Sequence, residues 1–160
     1  MMKYVAPCIA VNNIEESRDF YENLLGQRVK YDFGENITYE GMFSIQLKPH
    51  FAKMINLSTD ELKTKPNNFE ITFETEDLDA FIKKLKNSKY DVVYLHDIIE
   101  HEWGQRVIRF YDPSQNVIEV GEDMKVVCIR YLNKGMSIEE TAAKTQFPVE
   151  FVKNCKKQHS

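Results

Sequence analysis

Val11-Asn-Asn-Ile-Glu-Glu-Ser-Arg-Asp-Phe-Tyr21 decides how the rest of the chain is read. It leaves a short apolar run, Val5–Val11, that suits a buried strand. Asn13 can cap a helix at this point, and Glu16 three positions later completes a capping-box-like pair. Ile14, Ser17, Tyr21 and Leu24 or Leu25 then recur at helical spacing, and Gly26 ends the helix. Gln27–Phe33, Ile37–Tyr39 and Phe43–Lys48 follow as short β-prone runs punctuated by Gly34 and Gly41. The order is strand, helix, three strands.

The pattern then starts again. Pro49 to Asn68 reads as a connector with one helical turn after Thr59. Beyond it, Phe69–Thr75 is a strand, Asp77 can cap, and Leu78, Phe81, Ile82 and Leu85 line one helix face. Strands are expected at Asp91–Leu95, Gln105–Tyr111 and Asn116–Gly121, with the turn Asp112-Pro-Ser-Gln115 between the last two. Ile14 superposes on Leu78 and Tyr21 on Leu85 with one offset of 64 residues. One helix and four strands cannot cover both faces of a sheet, whereas two copies can. The expected fold is therefore α+β: two βαβββ modules, about 3–50 and 67–122, forming a curled mixed sheet around a cavity.

Charge marks off the C-terminus. Residues 125–160 hold seven basic and three acidic side chains, a net of +4, so residues 1–124 carry −8 of the chain's total of −4. We place the boundary near Asp123, giving a domain at 1–124 and a helical tail at 125–160. In the tail, Lys125–Lys134 looks helical, Gly135 stops it, Ser137 and Glu140 form a capping box, and Pro148 opens a third helix. Ser137–Val152 resembles a helix-turn-helix, but Gln146 and Phe147 sit where such turns usually have Gly, and the second helix carries Glu150. A structural tail packed on the body or on a partner subunit is the favoured reading, and nucleic acid is not an expected partner.

Composition excludes other classes. With 42% hydrophobic and 29% charged residues, 160 residues make an ordinary globular domain. No apolar run approaches the roughly 20 residues of a membrane span. Cys8, Cys128 and Cys155 are scattered and odd in number, so no disulfide framework is drawn. The N-terminal apolar stretch reads as a strand and not as a signal peptide, and a reducing cytoplasm is expected.

The segments Val11–Tyr21 with Leu25-Gly26, Phe73-Glu-Thr-Glu-Asp-Leu-Asp-Ala-Phe81, and Asp112-Pro-Ser-Gln-Asn-Val-Ile-Glu119-Val resemble the vicinal oxygen chelate superfamily. That superfamily includes glyoxalase I, bleomycin-resistance proteins, extradiol dioxygenases and methylmalonyl-CoA epimerase. The resemblance spans residues 5 to 121 and implies a pocket for a small molecule and a homodimer. In metal-using members four cavity-facing strands each supply a ligand, and these positions fall on Ala6, Gln46, Glu70 and Glu119. Alanine cannot ligate, and both usual histidines are missing. Gln46, Glu70 and Glu119 make a hard oxygen set suited to a divalent ion such as Mg²⁺, Mn²⁺ or Ca²⁺.

Strand alternation reads the same cavity from the residues. Ala6, Cys8 and Ala10 share a face, as do Ser44, Gln46 and Lys48, then Glu70, Thr72 and Glu74, then Val117, Glu119 and Gly121. A close Glu70–Glu119 pair without a metal would hold one raised pKa, which suits a general base. The structural alternative is that inward carboxylates pair with Lys48 or an arginine. His96, His101 and Trp103 are expected in a loop over the cavity mouth, with the Trp103 indole stacking on a substrate. Arg106 and Arg109 can bind a substrate carboxylate or phosphate, or neutralise Glu70 or Glu119. Cys8, Gln46, Lys48, Thr72, Trp103, Arg106 and Arg109 are thus the candidate substrate contacts, and Glu70 and Glu119 the candidate catalytic groups.

Three functions fit. The chain is a glyoxalase-related binding protein acting as a lyase or isomerase on an oxygenated metabolite, a metal-free ligand-sequestering protein, or a ligand-responsive regulator working through its tail.

Overall fold

The Asn13 side chain accepts a hydrogen bond from the Glu16 amide at 3.0 Å and opens helix α1 (Ile14–Asp19) behind strand β1 (Cys8–Val11). The helix continues as one π-helical turn, Phe20–Leu24, and Gly26 leaves it at φ +68°. A positive φ is the conformation glycine adopts without steric cost. Strands β2 (Val29–Asp32), β3 (Asn36–Tyr39) and β4 (Ser44–Leu47) complete the first module. The computed structural model describes residues 1–159.

The second module repeats this plan with β5 (Glu70–Thr75), α3 (Leu78–Lys86), β6 (Tyr94–Glu100), β7 (Arg106–Tyr111) and β8 (Val117–Glu122). Each module forms its own four-stranded sheet, in the orders β1-β4-β3-β2 and β5-β8-β7-β6. The two orders are the same once the second set is renumbered. In the first sheet β1 runs parallel to β4, with Cys8 opposite Ser44 and Ala10 opposite Gln46, and the other pairs are antiparallel.

Two elements depart from the sequence reading. Helix α2 (Lys48–Met54) occupies the start of the expected connector, with its proline in the first turn, where a missing N–H costs nothing. The helical turn expected after Thr59 is present as a 3-10 turn, Thr59–Glu61. The strand expected at Asp91–Leu95 is instead β6, shifted toward the C-terminus. Pairing with β7 carries it to Glu100, opposite Arg106, through register irregularities between Tyr94 and Ile99 that hide the two-residue period. His96 therefore lies on a strand and not in a loop.

The chain divides into two compact units. One holds Met1–Glu70, Lys84–Val93 and Tyr111–Val117; the other holds Ile71–Lys83, Tyr94–Phe110 and the chain from Ile118 on. In the first unit Tyr39 and Phe43 stack at 4.7 Å between ring centroids, and Tyr21 leans on Phe43 at 5.2 Å. Tyr21, Tyr39, Ile37 and Ile45 are fully buried. In the second unit Val107, Phe110, Ile118 and Val120 fill the sheet core.

The C-terminal region belongs to the second unit and forms three helices, α4 (Met124–Asn133), α5 (Ile138–Thr145) and α6 (Val149–His159). Both capping-box bonds of Ser137 and Glu140 form, at 2.7 and 3.1 Å. Gln146 takes the left-handed conformation at φ +62° that ends α5, the place where the helix-turn-helix pattern usually has glycine. Cys128, Ala142, Val152 and Cys155 make the core of this bundle. No helix among the described residues is long and apolar enough to cross a membrane.

Candidate functional site

A cavity of about 320 Å³ opens in the first unit. One wall is the start of β1, where Pro7, Cys8, Ile9 and Ala10 line it. Phe51 of α2 and the connector residues Leu62, Pro66 and Phe69 supply the rest of the apolar surface. Asn12, Thr64, Ser114 and Asn116 add neutral polar groups, and Lys48 and Lys63 add two ammonium groups. No carboxylate or imidazole of the described residues lines this wall.

The β7–β8 turn is held against the first module by hydrogen bonds. Ser114 Oγ accepts from the backbone N–H of Asn12 at 2.9 Å, and Asn116 Nδ2 donates to the Ala10 carbonyl at 3.3 Å. Behind them sits Asp112, 3% exposed, whose carboxylate accepts from Tyr21 Oη at 2.8 Å, from Asn116 Nδ2 and from two backbone amides. Burial pushes the Asp112 carboxyl up, and the hydrogen bonds from Asn116, Tyr21 and Ser114 oppose it. The Phe-Tyr and Asp-Pro motifs of the sequence thus meet as one buried structural joint beside the cavity.

Of the candidate substrate contacts, only Cys8 and Lys48 line this cavity. Gln46 is buried at 2% exposure and spends its amide on the protein: its Oε1 accepts from Asn36 at 2.9 Å, and its Nε2 donates to the Glu35 carbonyl at 2.8 Å. Thr72 and Glu70 stand exposed on β5.

The second unit concentrates the candidate charges. Arg109 on β7 is ion-paired with Glu119 on β8, and its Nη1 lies 3.4 Å from His96 Nε2. Arg106 forks onto Asp79 at 3.1 and 3.2 Å and also binds Glu122, which is 3% exposed. These partners raise the already high pKa of Arg106 further. Arg130 of α4 reaches the same Glu122 carboxylate at 2.7 Å and the Gly104 carbonyl at 2.7 Å. Both arginines expected to meet a substrate anion are therefore engaged by side-chain carboxylates of the chain. Trp103 donates from Nε1 to Gln105 at 3.0 Å, stacks on His101 at 4.2 Å, and packs on the Met124, Val127 and Tyr131 cluster of the C-terminal helices.

The metal that the resemblance implies can be set against these side chains. Among the described residues no group of three or more His, Cys, Asp or Glu side chains could hold a metal ion. A cation on Glu119 would compete with a guanidinium, and one on Gln46 would break two hydrogen bonds. The donor set does not fit the group that chelating relatives hold.

The family model for the glyoxalase-like domain matches residues 4–125. The chain belongs to that family. A solved structure of a protein of unknown function from Agrobacterium tumefaciens str. C58 is 32% identical, with a TM-score of 0.67, covering 77% of this chain and 95% of that one. A glyoxalase-related enzyme from Fulvimarina pelagi shares the fold at 15% identity and a TM-score of 0.63, over 77% of this chain and 90% of that one. A glyoxalase/bleomycin resistance protein/dioxygenase from Nocardioides does so at 15% identity and a TM-score of 0.56, over 76% and 84%. The match to the glyoxalase-like family model bears out the resemblance to the vicinal oxygen chelate superfamily, and the two structures at 15% identity show the same fold. No curated protein matches the chain. The family match ends at residue 125, so helices α5 and α6 lie wholly outside it.

Sequence reasoning missed most of the cavity wall. Phe51, Leu62 and Lys63 fall in what reads as a connector, where strand alternation does not apply, and Phe69 stands at the start of the expected strand, just ahead of β5. The available signal was local, the apolar cluster Phe51-Ala-Lys-Met-Ile-Asn-Leu57, which is unusual for a solvated connector.

Proposed function

We propose that this glyoxalase-like protein is a metal-independent binding protein for a small organic molecule. The observation that carries the reading is the Arg109–Glu119 ion pair, which occupies the last of the carboxylates in the superfamily's ligand pattern. A guanidinium paired with a carboxylate supplies the counter-charge that a divalent ion would otherwise supply. The cavity under α2 and the connector supports the same reading, because its volume falls in the range of small-ligand sites and its wall is mostly apolar.

The lyase or isomerase reading needs a base aimed at a bound substrate. Glu119 is engaged by Arg109, and the cavity wall offers no carboxylate of the described residues, so sequestration is favoured over proton abstraction. A ligand-observed NMR screen of small metabolites, run on metal-free protein in chelator, tests the proposal. Saturable binding in chelator is the expected result. Binding or turnover that appears only after a divalent ion is added would contradict it.

A further inference from the structure

Lys48 and Lys63 are the two charged groups on the cavity wall, and both also line an adjoining polar hollow with Thr59, Asp60 and Thr64. Neither ammonium has a carboxylate within 4.0 Å among the described residues. Four other cations of this unit are engaged by the protein. Arg18 holds Glu22 and Asp32, Arg28 holds Glu40, Lys84 caps the π-helical turn through the carbonyls of Asn23 and Leu24, and Lys89 holds Asp19. Two ammonium groups on one wall, with no carboxylate against them among the described residues, leave the counter-charge to be supplied by a ligand anion.

The rest of the wall is mostly apolar. Ile9, Phe51, Leu62, Pro66 and Phe69 present apolar surface, with two aromatic rings among them. The Ser114 and Asn116 side chains are hydrogen-bonded to the protein through the contacts already described, so they shape the wall more than they recruit a charge. The volume of about 320 Å³ lies at the small end of ligand cavities, which excludes cofactor-sized molecules.

We infer that the cavity takes a small amphipathic carboxylic acid, an aryl or short-chain alkyl carboxylate, with its apolar body against Phe51, Leu62 and Phe69 and its carboxylate between Lys48 and Lys63. This deepens the binding function proposed above and rests on it. Each charge-assisted contact to a carboxylate is strong enough to change affinity by about tenfold.

The test is isothermal titration of the full chain, in chelator, with benzoate, phenylacetate, 4-phenylbutyrate and hexanoate, each beside its neutral amide. At least one acid is expected to saturate with a dissociation constant below about 1 mM and to bind about tenfold tighter than its amide. Lys48→Gln and Lys63→Gln are each expected to weaken the acid by about tenfold and to leave the amide unchanged. Lys86→Gln, on an exposed lysine outside the cavity, serves as the charge control, and thermal midpoints confirm that the variants fold. Equal binding of acid and amide overturns the inference while leaving a metal-independent binder in place. Absence of saturation by every acid overturns it as well. Binding of either series only with added Mn²⁺ counts instead against the metal-independent reading on which the inference rests.

Discussion

Arg109 on β7 and Glu119 on the neighbouring strand β8 form an ion pair whose side chains are 22% and 10% exposed. Removing one partner of a pair this buried leaves a charge without its neutraliser, whereas removing both does not. Arg109→Leu is expected to lower unfolding free energy by about 3 kcal/mol in chemical denaturation, and the double variant Arg109→Leu/Glu119→Leu to recover most of that loss. Additive losses in the double variant would show that the two residues do not act as a pair.

Tyr21 and Asp112 tie the first helix to the β7–β8 turn at 2.8 Å, with the tyrosine fully buried. Tyr21→Phe keeps the ring packing and deletes one donor from a buried carboxylate. The expected cost is about 1–3 kcal/mol, read as a shift in the denaturant midpoint at constant slope. Because burial already pushes the Asp112 carboxyl up, loss of a hydrogen bond that favours the ionised form should push it further. A wild-type midpoint would mean that the joint contributes nothing.

Gly104 sits at φ +85°, and an added Cβ would run into the ring of Tyr131 from α4. Both the backbone conformation and the close approach require glycine here. Gly104→Ala should cost more than 2 kcal/mol or so and increase protease sensitivity of the C-terminal helices. Tyr131→Leu in that background should return only the steric part. An unperturbed Gly104→Ala would contradict this docking of α4 on the 101–105 turn.

Asp19 is held at a pKa of about 2, chiefly by the hydrogen bond from the Tyr90 hydroxyl, with Lys89 and Asn23 adding to it. A carboxyl with a depressed folded pKa contributes stability above its ordinary value near 3.8, and the contribution fades as pH falls through about 2. Tyr90→Phe should raise the Asp19 value and shift acid unfolding to higher pH, with stability at pH 7 also reduced. NMR titration of the Asp19 carboxyl reads this directly. A value unchanged by the substitution would assign the depression to Lys89 and Asn23.

The repeat was legible because it rests on local rules. Asn13, Gly26, Ser137 and Glu140 act on their own backbone, and Ile14 and Leu78 repeat one helix register, so spacing alone located them. Strand alternation assigns Gln46 and Glu119 to the sheet, where β4 and β8 hold them, but alternation gives a face and not a partner. Whether Glu119 meets a cation, a ligand or Arg109 depends on pairing between strands, which no spacing records. Arg106 and Trp103 are engaged by residues distant in sequence for the same reason: Glu122, Asp79 and the C-terminal helices arrive from elsewhere in the chain. The cavity was missed because α2 and the connector that cover it carry no repeat signal.

The most direct test of the central claim is the metal content of tag-free protein by mass spectrometry, on wild type and on Glu119→Ala. A metal-independent binder predicts no stoichiometric divalent metal in either protein, with ligand binding unaffected by chelator. Near one divalent ion per chain in wild type, lost in Glu119→Ala, would contradict it and return Glu119 to the superfamily's chelating role.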